Sequence, residues 1–151
     1  MRGGGASAPR RRGPGLWHDP GVAHLISFDT GKFDLAAEPP NPINPIAGVS
    51  VLRWLRETLG DGYVVSEPDA EDWGWYVDVT RERAVYLVGA SAEAGDDGEA
   101  HWILQIHRHR SLKDKLTGAN KLSPDDPLTI RIAALLVTDP AIRNLEIERG
   151  T

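Results

Sequence analysis

Two stretches of this 151-residue chain hold most of the side chains that could do chemistry. The first is His101-Trp-Ile-Leu-Gln-Ile-His-Arg-His-Arg110. In an extended strand successive side chains alternate between faces. Trp102, Leu104 and Ile106 therefore take the buried side, and His101, Ile103, Gln105, His107 and His109 share the other. Two residues along a strand separate the Cα atoms of His107 and His109 by about 6–7 Å, which suits a shared metal ion or phosphate. The second stretch is Asp69-Ala-Glu-Asp-Trp-Gly-Trp-Tyr-Val-Asp78, with the carboxylates Glu71, Asp72 and Asp78 within eight residues. Asp78 on a neighbouring strand would complete a His-His-carboxylate set. The plainer reading is a polar sheet face opposite a core. Alternation then assigns Trp73, Trp75, Val77 and Val79 to the core and Gly74, Tyr76 and Asp78 to the far side, Gly74 leaving room for a ligand or backbone.

A third segment, 108–121, has five cations and one acid. Ser111 suits a helix cap, Leu112 and Leu116 are i, i+4 anchors, and Gly118 is a stop. Arg108, Arg110, Lys113 and Lys115 could hold a small anion, an acidic partner or nucleic acid, or simply balance nearby acids in solvent. The segment lacks a Gly-rich phosphate loop and interleaved aromatics, so it does not read base sequence. G-x-S-x-G, H-E-x-x-H, the phosphate-binding P-loop and G-x-G-x-x-G are all missing. Ser27, Ser50, Ser66 and Ser91 have no histidine beside them in sequence, which leaves spatial neighbours open.

These segments need a scaffold. A β-prone run at 22–28 ends at Asp29-Thr-Gly31. Four prolines within 39–45 force an extended approach, and Asn44 followed by Pro45 reads as the cap and first position of a helix over 45–59. Strands are expected at 63–66, 73–80, 84–91 and 100–108, the middle two joined as a hairpin. Ser123-Pro-Asp-Asp126 opens a second amphipathic helix, Pro140 stops it, and 142–148 alternates as a last strand. The order β-α-β-β-β-β-α-β predicts an α+β two-layer sandwich: a mainly antiparallel sheet of five to six strands with two helices on one face. Function is then expected on the other face, where Tyr76, Asp78, Tyr86, His101, Gln105 and His107 would stand.

Composition bounds the rest. A chain of this length makes one domain, expected over 21–151 after a disordered basic tail, 1–20. Zero cysteines exclude disulfides, thiolate metal sites and a cysteine nucleophile. Lacking an apolar run long enough for a membrane span, and an apolar region after its basic N-terminus, the chain is expected in the cytoplasm. The net charge of -5 divides into +4 over residues 1–15 and -9 over 16–151, an acidic domain with one basic segment.

At Glu38-Pro-Pro-Asn-Pro-Ile-Asn-Pro-Ile-Ala-Gly48, Glu71-Asp-Trp-Gly-Trp-Tyr76 and His109-Arg-Ser-Leu-Lys-Asp-Lys-Leu-Thr-Gly118 the chain resembles a family of small bacterial proteins, over about residues 22–148. The resemblance implies a bacterial, cytoplasmic, single-domain protein and carries no catalytic residue or cofactor to any position. The leading expectation is a non-enzymatic binding or interaction protein, with a protein partner or a second copy as a homodimer. No cofactor is implied. The alternative is a metal- or anion-dependent hydrolase or transferase using His107 with the carboxylates of 71–78. A third is nucleic-acid association through the tail and 108–121.

Overall fold

A computed structural model of the chain describes residues 23–149, so the expected tail lies outside the described residues. Strand β1 (His24–Thr30) leads through a 3-10 turn (Leu35–Ala37) to helix α1 (Val49–Thr58). Strands β2 (Val64–Val65), β3 (Asp69–Glu71), β4 (Gly74–Arg81), β5 (Ala84–Ala94) and β6 (Ala100–Arg108) follow. Helices α2 (Leu112–Thr117) and α3 (Pro127–Val137) precede β7 (Arg143–Arg149). The seven strands form one antiparallel sheet in the order β2-β4-β5-β6-β1-β7, with β3 also on β4. The class is α+β, with seven strands where five to six were expected, and with the short helix α2 that Ser111 and Gly118 suggested beside the two amphipathic helices. Among the described residues no helix is long and apolar enough to cross a membrane.

The additional strand has a local cause. Val64–Val65 lies opposite Val79 and Thr80, and Asp69–Glu71 opposite Gly74 to Tyr76, so β2 and β3 are two pieces of one edge along β4. Pro68, which has no N–H to donate, stands in the gap. Register then separates the sheet faces. Val77 pairs with Val88, Val88 with Ile106, and Ile106 with His24, all on the core side. Leu52 and Leu55 of α1 and Ile132 and Leu136 of α3 are buried in the same core.

The start of α1 departs from expectation. Its N-cap is Gly48, and the cap group comes from ten residues upstream. Glu38 accepts hydrogen bonds from the backbone N–H of Gly48 (2.9 Å), Val49 (3.3 Å) and Ser50 (3.0 Å), and from the Ser50 hydroxyl. A carboxylate suits a helix N-terminus because the first N–H groups have no partner within the helix and the macrodipole is positive there. Gly48 is required for space: a Cβ would stand 2.4 Å from the Ala90 carbonyl oxygen. Asn44 instead donates to the Asp72 carbonyl (2.7 Å), and Asn41 to that of Gly74 (2.8 Å), pinning the proline-rich loop to the β3–β4 turn. Helix α3 begins at Pro127 with Asp126 as its cap, later than Ser123-Pro124 suggested. Helix α2 matches expectation, with a capping box between Ser111 and Asp114 and a left-handed Gly118 after it.

Candidate functional site

The face away from the helices is only partly open. Tyr76, Asp78, His101, Gln105 and His107 lie on it as alternation predicted, Tyr76 and Gln105 paired through Gly89, Asp78 and His107 through Leu87, and His101 opposite Glu93. Yet Leu87 is 2% exposed and His107 7%, so the middle of this face is covered. Tyr86 is a correction. It pairs with Val79 and Arg108 on the core side, where it is buried and its hydroxyl donates to Asp126 (3.0 Å). Burial, then the adjacent Asp126 charge, push the Tyr86 phenol well above its ordinary range.

The suggested acid–histidine set does not assemble. Asp78 and His107 share a row, but Leu87 stands between them, two strand spacings or about 9–10 Å in all. Glu71 is buried opposite Gly74, and Asp72 belongs to the turn that follows. His107 Nε2 lies 3.2 Å from Gln105 Oε1, while the His109 backbone N–H donates to Val85 beyond the end of β6. Among the described residues no three His, Asp or Glu side chains come together as a metal ion requires.

The basic segment is arranged differently again. Arg108 reaches Asn120 (3.1 Å) and stands 3.8 Å from Asp126, and Arg110 donates to the carbonyls of Ala119 and Asp114. These bonds and the capping box hold α2 without packing, since none of its residues is buried. Leu112 and Leu116 are 74% and 79% exposed, beside the exposed Lys113 and Lys115.

At the other end of β6 the structure gathers residues that sequence reasoning kept apart. Trp73 is a second correction. It precedes β4, and Gly74 (φ +147°) breaks the alternation that would have sent it to the core. Its indole instead lies over Gly89 on the far face: a Cβ there would meet the ring at 2.5 Å. Beside it opens a cleft of about 440 Å³, lined by Pro45, Ile46, Trp73, Ser91, Ala92, Glu93, His101 and Ile103. The walls are thus one indole and aliphatic carbon, with an imidazole, a hydroxyl and a carboxylate among them.

His101 is anchored there. Its Nδ1 lies 2.7 Å from Asp29 Oδ1, across the β1–β6 pairing that sets the two residues opposite each other. Asp29 Oδ2 accepts from the Asn144 side-chain amide at 2.8 Å. The hydrogen bond from Asn144, then that from His101, hold the Asp29 carboxyl below its ordinary range. An ionised carboxylate only accepts, so Nδ1 carries a proton, and in the neutral imidazole the lone pair is then on Nε2. Asn144 takes a left-handed conformation (φ +56°), and the β1–β7 register shifts between Ser27 and Asp29. Such irregularities re-aim side chains. Asp29 carried one visible signal in the sequence, its place at a strand end, and nothing linked it to a histidine 72 residues away. Comparison with protein-family models, curated proteins and solved structures gave no match to the chain.

Proposed function

We propose that this is a binding protein whose ligand is a small molecule with a flat apolar part and a hydrogen-bond donor, seated in the cleft between Trp73 and His101. The observation that carries the reading is Trp73 laid across Gly89. It puts a large aromatic surface on the side of the sheet away from the core, next to a polar anchor. The volume falls in the range of small-molecule sites, about 300–1,000 Å³, and the mix of apolar wall and few polar groups is typical of them. The acceptors His101 Nε2 and the Glu93 carboxylate favour a ligand that donates. Titration with N-(1-naphthyl)acetamide, followed by amide and indole NMR shifts, tests this. Shifts should cluster at Trp73, Ser91, Ile103 and His101, and Trp73→Ala should weaken binding at least tenfold. Shifts scattered over the surface, or none at millimolar probe, would sink the reading.

Helix α2 favours a second reading, contact with an acidic protein surface. Two exposed leucines flanked by lysines, on a helix that buries nothing of its own, form an apolar patch with a basic rim.

A further inference from the structure

We infer that the cleft is hydrolytic as well as binding, with His101 as general base against an uncharged carboxylic ester that has an aromatic alcohol part. The inference rests on the cleft being a ligand site, the attacking water supplying to His101 Nε2 the hydrogen-bond donor that an ester lacks. A general base needs a lone pair in the correct tautomer, a partner that holds the ring still, and a substrate surface beside it. All three are present. Asp29 fixes the tautomer and the ring through the 2.7 Å bond, and Asn144 fixes Asp29 through the 2.8 Å bond. The register shift at Ser27 to Asp29 and the left-handed Asn144 adjoin this carboxylate, both of whose oxygens are bonded. His101 itself lines the cleft, on the same face as the Trp73 indole.

In the step, a water molecule attacks the ester carbonyl carbon while His101 Nε2 takes its proton. The tetrahedral adduct then breaks its bond to the alcohol oxygen, which recovers the proton from Nε2. A carboxylic acid and an alcohol result, and His101 returns to its starting tautomer. Asp29 and Asn144 are positioning residues: neither exchanges a proton with the substrate.

The test uses the full chain with 1-naphthyl acetate as substrate and N-(1-naphthyl)acetamide as the slowly hydrolysed analogue. The His101→Ala variant keeps the other four histidines, so it reports the non-specific imidazole background. Wild type should exceed it at least a hundredfold in kcat/KM, the lower end of what general bases contribute, about 10²–10⁴-fold. Asp29→Asn should lower kcat with KM unchanged, whereas a loss of cleft shape would raise KM. Equal rates for wild type and His101→Ala, with the amide still bound at Trp73, would overturn the hydrolytic step and leave the binding reading standing. Equal rates with no amide binding would overturn both.

Discussion

The two ends of β6 use aspartate in opposite ways. At one end Asp126, 1% exposed, accepts from the Tyr86 hydroxyl and from the Leu128 N–H at the start of α3, and stands near Arg108. At the other, Asp29 sits at the rim of an open face and holds a half-exposed imidazole. The buried aspartate ties a helix to the sheet, one oxygen bonded to each. The exposed one fixes a ring whose second nitrogen has no hydrogen-bond partner among the described residues. Similar groups thus act as a buried fastener at one end and as the support of a half-exposed ring at the other.

The comparison can be broken most directly at the buried end. Asp126→Ala leaves a phenol, a helix N–H and a guanidinium short of a partner, and should cost about 3–5 kcal/mol in urea unfolding. A cost below that of an ordinary surface substitution would erase the distinction. Next in size is acid sensitivity at His24, which is fully buried against Thr129 Oγ1 (2.8 Å). Burial holds its imidazole below the ordinary value of 6.5. The unfolded chain therefore binds the proton first, so stability is level above pH 6.5 and falls below it, by up to about 1.4 kcal/mol per pH unit. Paired urea titrations at pH 7.5 and 5.5 should show the loss, and His24→Leu should abolish the pH difference.

Smaller effects sharpen the exposed end. Asp29→Asn should move the urea midpoint several-fold less than Asp126→Ala, because its bonds are made in solvent. Its carboxyl lies below its ordinary value in the folded chain. The stability it contributes is present above about pH 4 and is lost on further acidification, so the variant should respond less to acid. Smallest of all, Leu112→Ser with Leu116→Ser should leave stability within about 0.5 kcal/mol, since neither leucine is packed. A larger loss in thermal melts would mean that α2 supports the domain.

Much of the scaffold was legible because its causes are local. Alternation found the 100–108 strand to the residue, and Ser111 with Gly118 bounded α2. The failures share a different origin. Asp69-Ala-Glu71 has no β-prone residue and is a strand only because β4 lies beside it. Asn44-Pro45 imitates a helix start, but the groups that cap α1 come from Glu38. Trp73 has the parity of a core residue until Gly74 turns the chain. Of the candidate site, His101 was legible as a residue on the far face, whereas Asp29 and Asn144 reach it only through pairings across 72 and 115 residues.

The outermost strands of the described sheet bear on how copies of the molecule would meet. β7 presents Arg143, Glu146, Glu148 and Arg149 along its length, and on the other side β2 is two residues long and followed by Pro68. Unpaired strand edges invite a neighbouring chain to continue the sheet, and charge, brevity and proline are the usual deterrents. Both margins of the described sheet carry such deterrents. They weigh against one long sheet shared between two copies and favour contact through faces or helices.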